Sequence, residues 1–439
     1  MSRHPLLTLF HRRELARRTY TARLRQVAPA NLVDIWPLSE TSGTTAAALK
    51  SSALNASYRA SVAPGTSWPT AAGQAQFVAP GLFPATGDIL FPAAALASLT
   101  NWNEGSIAFW MRAALTTWDD GTARRPLLWQ IDSSNRIFIQ KSSGADTFQA
   151  SYIGGGTTKS ITVSNVSQYC GTGWLHVCLT WSKTGDVMRL YLNGELAGSV
   201  TTLSTISGTL AIPIIAGNPY CPNSTYAYAG LWSTPLSASE VQALITPIMR
   251  DQLLVFEGDS LTVGGQLSAV PYPKTLIRAL SNESAARTVA TSGHKISDMI
   301  TDYPTQVAPL YRPQSFKKST VVLLGGSNDI QNESVATAYS RLQTYWALCR
   351  ATGFQVVACT LPAGNPTGST NPYNDYRNAL NTLILSDTSL YTAVARLDQN
   401  ANIGQDGDQD NTTYFNADKI HMTTAGYTEI ATVVAAVLP

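Results

Sequence analysis

The feature of this 439-residue chain that most restricts its fold is the tetrapeptide GDSL at 258–261. It directly follows the apolar run LLVF at 253–256, which predicts a buried strand that ends in a tight turn. A serine at such a turn presents its hydroxyl at the carboxyl edge of a sheet, where open α/β sheets bind their ligands. The sequence therefore predicts a chemically active serine, Ser260, in the C-terminal part of the chain.

From residue 253 onward, short apolar runs alternate with longer amphipathic stretches. The apolar runs predict five strands, at 253–256, 288–290, 320–324, 355–359 and 393–397. The clearest predicted helices lie at 335–350, 374–385 and 424–437, where a threonine hydroxyl is placed to cap the last one. Strands separated by helices form parallel sheets with right-handed crossovers, so we predict a three-layer α/β/α domain with a five-stranded parallel sheet over 253–439.

Residues 30–242 are typical of β structure. Short runs of aromatic and β-branched residues recur there, separated by clusters of Gly, Pro, Asn and Ser. Asn193-Gly194 follows one such run and predicts a type I′ hairpin turn, because both central residues of that turn need positive φ. Many short strands with regular turn signals predict a β-sandwich of the jelly-roll type, joined to the next domain by a linker at 243–252.

Residues 1–29 are predicted to form a basic N-terminal arm. Seven arginines and one glutamate occur in the first 27 residues, with apolar side chains between them. One interpretation is a solvated tail, and another is an amphipathic anchor that binds a partner in an assembly. A contact with a membrane surface or with nucleic acid is the third.

Composition excludes several classes of protein. Only 13% of the residues are charged, compared with about 25% in typical globular proteins, and the net charge is +2. The chain as a whole is therefore not built to bind nucleic acid. No apolar run approaches the length of about 18 residues that spans a membrane, and no secretory signal is recognisable. No metal-ligand spacing and no nucleotide-binding glycine motif occurs, so we expect neither a metal nor a cofactor.

Three downstream segments supply the groups that a nucleophilic serine needs. His421 is the best candidate base for Ser260, and Asp418 is placed to reach the imidazole Nδ1, which leaves Nε2 to accept the serine proton. The backbone N–H groups of Ser260 and Gly293, together with the side-chain amide of Asn328, are predicted to form an oxyanion hole.

Other polar residues receive structural roles in this interpretation. Asp259 is expected to hold the nucleophile turn together, and Asp329 to brace its own loop. His294 is a rival base, but it lacks a carboxylate at tight spacing, with Asp298 four residues later. His176 lies within a strand pattern and is expected to be a buried structural histidine.

The four segments together resemble the SGNH (GDSL) hydrolase superfamily, whose sequence blocks supply Ser, Gly, Asn and His. The corresponding blocks are GDSL at 258–261, ATSG at 290–293, GSND at 326–329 and DKIH at 418–421. The resemblance implies the same roles for Ser260, Gly293, Asn328, Asp418 and His421. In the second block the family often has an asparagine a few residues before the glycine, whereas this chain has TVA at 288–290.

The N-terminal half resembles concanavalin A-like lectin and laminin-G-like domains. The similar stretches are IWPLSETSG at 35–43, GSIAFWMR at 105–112, WLHV at 174–177 through YLNGE at 191–195, and AGLW at 229–232 followed by LSASEV at 236–241. Members of that family often bind glycans, and some bind calcium, for which no clear ligand set is evident. Trp102, Trp118 and Tyr220 are the candidate sugar-stacking residues, with packing in the core or at the rim as the alternative.

We therefore expect a two-module serine esterase that deacetylates a polysaccharide bound by the lectin-like domain, or cleaves a small ester. The lack of a signal sequence beside modules that work outside cells favours an extracellular or virion-associated protein, attached to a phage particle through residues 1–27. The alternative is a virion structural or attachment protein whose main role is assembly or glycan binding.

Overall fold

The computed structural model describes residues 20–38, 40, 43–59, 88–113, 118, 121, 123–144, 146–170, 173–215, 224–245, 250–264, 269–280, 284–386 and 388–439. The chain divides into two compact units, Met1–Met249 and Arg250–Pro439. The division falls inside the predicted linker at 243–252. That segment, however, contains the end of a helix and the start of a strand.

The N-terminal unit contains two antiparallel sheets. Its strands are β1 (Leu32–Trp36), β2 (Thr45–Ala46), β3 (Ala56–Arg59), β4 (Asp88–Leu90), β5 (Glu104–Ala113), β6 (Arg124–Asp132), β7 (Asn135–Lys141), β8 (Thr147–Gly154), β9 (Thr157–Ser164), β10 (Leu175–Ser182), β11 (Val187–Leu192), β12 (Glu195–Thr201), β13 (Ile212–Ile215) and β14 (Ser224–Trp232). Among the described residues, the helices α1 (Ala93–Ala97) and α2 (Ala238–Ile245) accompany them. One sheet has the order β1-β14-β5-β10-β11-β12, and the other β2-β3-β4-β13-β6-β7-β8-β9. The predicted β-sandwich is thereby confirmed.

Strand β10 shows why these residues form a sandwich with both sheet faces covered. Successive side chains of a strand point to opposite faces, so Leu175, Val177 and Leu179 belong to the core between the sheets. Cys178 belongs to a second apolar cluster on the other face. His176 also points there and is buried, which lowers its pKa to about 3 and keeps the ring neutral, as expected of a structural histidine.

Residues 20–29 are packed against this sandwich, so the predicted arm at 1–29 is too long at its C-terminal end. Tyr20, Leu24 and Val27 recur at helical spacing and are buried in the second cluster. The Tyr20 hydroxyl donates to the Leu244 carbonyl at 2.9 Å and accepts from the Trp110 indole at 2.9 Å. Residues 1–19 of the predicted arm lie outside the described residues.

The C-terminal unit is built on a parallel sheet of five strands, β15 (Arg250–Gly258), β16 (Ser284–Thr288), β17 (Phe316–Leu324), β18 (Gln355–Cys359) and β19 (Ala393–Ala395). The strand order is β16-β15-β17-β18-β19. Its helices are α3 (Ser260–Val263), α4 (Tyr272–Ala279), α5 (Ile296–Gln306), α6 (Ser327–Ile330), α7 (Val335–Thr352), α8 (Tyr373–Ser386) and α9 (Thr424–Ala435). The predicted three-layer α/β/α class is confirmed.

The central strands are apolar on both faces because helices cover both sides of a parallel sheet. Leu253, Leu254, Val255 and Phe256 are at most 1% exposed. The Thr423 hydroxyl accepts from the Gly426 N–H at 3.3 Å and caps α9, as predicted. None of the described helices is long and apolar enough to cross a membrane.

Strand β16 begins four residues before the predicted start at residue 288. Its sequence, SAART, is short, polar and poor in β-branched residues, so no apolar run marks it. Pairing with residues 252–256 of β15 stabilises it instead. The residues that follow remain attached to β15 through the Val289 N–H, which donates to the Phe256 carbonyl at 3.0 Å.

Candidate active site

The sheet order brings three of the four sequence blocks to neighbouring strand ends. Strand β15 has β16 on one side and β17 on the other, so the chain direction across the sheet reverses there. In open α/β sheets, ligands bind outside the carboxyl ends of the strands at such a reversal. The GDSL turn follows β15, the loop at 289–295 follows β16, and the loop at 325–329 follows β17. All three therefore lie at one edge.

The turn after β15 presents Ser260 at this edge. Gly258 has φ +152°, and a Cβ there would collide with the Leu324 carbonyl oxygen of the neighbouring strand, so only glycine fits. Asp259 caps α3, because its Oδ1 accepts the Leu261 N–H at 2.9 Å. Asp259 thus holds the turn together, as predicted, and leaves Ser260 partly exposed as the first helical residue.

A chain of hydrogen bonds joins Ser260 to His421 and Asp418. His421 Nε2 lies 2.8 Å from Ser260 Oγ, and His421 Nδ1 lies 2.8 Å from Asp418 Oδ2. An ionised carboxylate can only accept, so Nδ1 carries the proton and Nε2 is free to accept one from the serine. The backbone N–H groups of Ile420 and His421 also donate to Asp418 Oδ1, at 3.1 and 2.9 Å, and fix the loop.

The Asp418 carboxyl is ionised at neutral pH. Partial burial raises its pKa, but the hydrogen bonds from the His421 ring and from two backbone N–H groups outweigh burial, and the net pKa lies below its ordinary value. Asp418 can therefore hold the ring and stabilise a positive charge that develops on it.

Each candidate oxyanion donor has an N–H hydrogen without an acceptor among the described residues. The Ser260 N–H lies in the first turn of α3, where no intrahelical acceptor exists. Gly293 has φ +83°, and its N–H has no acceptor within the part of the chain that the structure describes. Asn328 Nδ2 donates one hydrogen to the His294 carbonyl at 2.9 Å, which leaves its second hydrogen available to a substrate.

Gln331 fixes the orientation of the Asn328 amide. It lies one helical turn further on, and its Nε2 donates to Asn328 Oδ1 at 3.3 Å and to the Ser327 carbonyl at 3.1 Å. An accepting Oδ1 on one side and a donating Nδ2 on the other leave a single amide orientation. Sequence reasoning did not find Gln331, for which three-residue spacing from Asn328 is the only signal.

Asp329 ties the two neighbouring loops together. Its buried carboxylate accepts the Ile296 N–H at 3.0 Å and the Arg341 guanidinium at 3.0 Å. Beyond the predicted bracing of its own loop, Asp329 therefore also binds the helix after the Gly293 loop, which begins at Ile296. Arg341 also binds Glu333 at 2.6 Å.

The rival base His294 occupies a different position. Its Nδ1 lies 3.9 Å from Asp302 Oδ2, and its carbonyl accepts from Asn328. Asp298 instead accepts the Lys295 N–H at 2.9 Å. The histidine in contact with the Ser260 hydroxyl is His421.

Two of the three aromatic residues predicted to stack on sugars are buried. Trp102 is 5% exposed and packs edge-on against Trp129, with centroids 5.0 Å apart. Trp118 is 1% exposed and packs against Phe148 at 5.9 Å. Both rings therefore belong to the sandwich core, where no sugar can stack on them, and Tyr220 lies outside the described residues.

Two acidic side chains on either side of Gly258 are buried. Burial raises the pKa of Glu257 from its ordinary value of 4.5 to about 7, although the Gly258 N–H and the Tyr345 hydroxyl donate to it. Burial likewise raises the pKa of Asp259 to about 7, with a further contribution from Asp329. Across the described residues, no three His, Cys, Asp or Glu side chains are grouped to hold a metal ion.

The Glu257 carboxyl makes stability depend on pH. A raised folded-state pKa means that stability is complete below about pH 4.5 and is lost as the pH rises through about 7. Replacing Glu257 with glutamine keeps an acceptor for Gly258 and removes the charge. We expect Glu257→Gln to reduce the loss of unfolding free energy between pH 5 and pH 8 by on the order of 2 kcal/mol. Urea denaturation of the full-length protein at both pH values measures this, and an unchanged loss contradicts it.

Two family models match the chain. Residues 256–428 match the GDSL-like lipase/acylhydrolase family, and residues 85–242 match the concanavalin A-like lectin/glucanases superfamily. No curated protein matches the chain.

Similar solved structures include three with low TM-scores. They are the receptor binding domain of botulinum neurotoxin C/D mosaic serotype (TM-score 0.37, 15% identity, 48% of this chain and 50% of that chain), the binding domain of Paraclostridial Mosquitocidal Protein 1 (0.37, 17%, 51% and 54%) and Trypanosoma rangeli sialidase in complex with sialic acid (0.38, 12%, 54% and 38%). The match thus spans about half or less of each of those chains. At TM-scores this low, the likeness carries no conclusion about function.

The two family matches fall in different units of the fold, one on the parallel sheet and one on the β-sandwich. The C-terminal unit is a GDSL-like lipase/acylhydrolase domain, and the N-terminal unit carries a concanavalin A-like lectin/glucanase domain.

Proposed function

We propose that this protein is a serine esterase that removes acetyl groups from a polysaccharide held by its lectin-like domain. The observation that carries the proposal is the pair of 2.8 Å contacts that joins Ser260, His421 and Asp418 at the carboxyl edge of the sheet. That arrangement is what an alcohol nucleophile, its base and the orienting carboxylate require.

In the proposed reaction, Ser260 Oγ attacks the ester carbonyl carbon while its proton passes to His421 Nε2. The resulting imidazolium is stabilised by the Asp418 carboxylate and gives this proton to the sugar oxygen as the ester C–O bond breaks. The sugar then leaves with a free hydroxyl, and an acetyl-enzyme remains. Water then repeats the sequence, with its proton taken by His421, and releases acetate and the free serine. The N–H groups of Ser260 and Gly293 and the Asn328 amide bind the oxyanion in both halves.

The substrate class rests on composition and on the two domains. A low charged fraction of 13% and a lectin-like domain favour a polar, uncharged polymer over lipid. Such a substrate places the protein outside the cell, either free or on a virion. Attachment to a virion depends on residues 1–27, most of which lie outside the described residues, so the attachment-protein alternative is not proposed in place of the esterase.

Ser260→Ala is expected to abolish hydrolysis of p-nitrophenyl acetate. Asp418→Asn is expected to lower kcat by roughly 10⁴-fold, because an amide at that position favours the wrong ring tautomer. Steady-state kinetics on the acetate, butyrate and octanoate esters measures both effects and the size of the acyl pocket. The matched control is Ser340→Ala, an exposed serine on α7 that should leave turnover unchanged. Turnover retained by Ser260→Ala would remove this serine from the nucleophile role.

Gln331→Glu is expected to lower kcat by about tenfold or more with little change in KM. A carboxylate cannot donate to Asn328 Oδ1, so the amide loses the orientation that aims its free N–H at the oxyanion. Asn328→Ala alone should cost a factor of about 10²–10³.

A double-mutant cycle isolates this coupling. If Gln331 acts through Asn328, Gln331→Glu should have almost no further effect on kcat in the Asn328→Ala background. Equal effects in both backgrounds would show that Gln331 does not act through Asn328. An Asn328→Ala variant that keeps the wild-type kcat would argue against the proposed oxyanion hole.

A further inference from the structure

A cleft of about 670 Å³ lies at the outer edge of the parallel sheet. One wall is the face of α8 that carries Arg377, Asn378 and Thr382, and the other is the chain at 396–406 that follows the edge strand β19. None of the candidate catalytic residues lines it. Its volume is in the range of about 300–1,000 Å³ that binding sites for small molecules occupy.

The charges in this cleft are already neutralised. Arg377 Nη2 binds Asp406 at 2.5 Å, and Arg396 binds Asp398 through two contacts of 2.8 and 2.7 Å. The net charge of these four side chains is zero. A charged ligand would have to displace one side chain from its ion pair. The cleft therefore favours an uncharged ligand.

The neutral side chains of the cleft supply further hydrogen-bonding groups. Gln399, Gln405 and Thr382 are exposed. Gln405 Nε2 donates to the Asp398 carbonyl at 2.8 Å and the Thr382 hydroxyl donates to the Asn378 carbonyl at 2.9 Å, whereas the Gln399 side chain makes no hydrogen bond to another described residue. Arg377 is 2% exposed, and its Nε has no hydrogen-bond partner in the described part of the chain. A buried N–H without an acceptor is destabilising, and an acceptor that reached it would remove that cost. Closely spaced amide and hydroxyl groups can donate and accept hydrogen bonds, as the hydroxyl groups of a sugar also do.

The cleft is within reach of a polymer bound at Ser260. Strand β19 is three positions from β15 in the sheet, which at about 4.8 Å per strand is roughly 14 Å. In the sequence, the segment that begins at residue 396 continues into the loop that carries His421. Lys419 joins these parts, because its Nζ binds Asp410 at 2.6 Å and its carbonyl accepts the Asn365 N–H at 2.8 Å.

We propose that this cleft is a saccharide-binding subsite. It holds an uncharged, unmodified sugar unit of the polymer while the ester of a neighbouring unit lies at Ser260, and in that respect it rests on the proposed esterase function. The subsite would give the hydrolase domain its own contact with the polymer, separate from any binding by the lectin-like domain.

The test compares the full-length wild type with Thr382→Trp, which fills the cleft from an exposed helix position. The matched control is Ala379→Trp, exposed on the same helix but outside the cleft lining. Isothermal titration with xylotetraose, cellotetraose and mannotetraose is expected to show that at least one binds the wild type and the control equally. Thr382→Trp should bind it at least tenfold more weakly. The double change Gln399→Ala with Gln405→Ala gives a second test that adds no bulk.

Two results would overturn the subsite: no tetrasaccharide binds the wild type, or both cleft variants bind as the wild type does. Turnover of p-nitrophenyl acetate, measured on the same samples, separates this outcome from failure of the esterase. If turnover requires Ser260 and the cleft variants bind sugar as the wild type does, the esterase function is supported and the subsite is rejected. Sugar binding lost in the cleft variants of a protein without turnover would retain the subsite and reject the esterase.

Discussion

The hydrogen bond between Ser260 Oγ and His421 Nε2 is the interaction on which the functional account depends, and it requires two distant parts of the chain to meet within 2.8 Å. Ser260 is fixed by the end of β15, where Gly258 allows close approach to β17. His421 is fixed by a loop whose exit is capped at Thr423 and whose carboxylate is held by two backbone donors. Neither position rests on flexible side chains alone.

The same turn also imposes an electrostatic cost. Glu257 and Asp259 flank Gly258 in the sequence, and both are almost fully buried, with pKa values of about 7. Two ionised carboxylates in this position would repel each other and lack water. The turn that presents Ser260 is therefore most stable when these acids are protonated.

Much of the fold could be predicted because apolar runs of strand length mark β15, β17 and β18 directly. Strand β16 escaped such reasoning, since SAART is stabilised by its pairing with β15 and not by its own composition. Trp102 and Trp118 have the sequence context of loop residues, and only long-range packing buries them. In the site, too, local sequence does not reveal contacts between distant segments. Local spacing identifies the Asp418–His421 pair, whereas the bond from Asp329 to Ile296 crosses between loops that follow different strands.

The most direct test of the central claim is covalent labelling of the full-length protein with a fluorophosphonate, followed by mass analysis of its peptides. An activated serine displaces fluoride and keeps the phosphonyl group. The account predicts one adduct per chain, on Ser260, and loss of that adduct in His421→Ala, where no base activates the hydroxyl. An unlabelled wild type, an adduct on another serine, or labelling that persists in His421→Ala would contradict it.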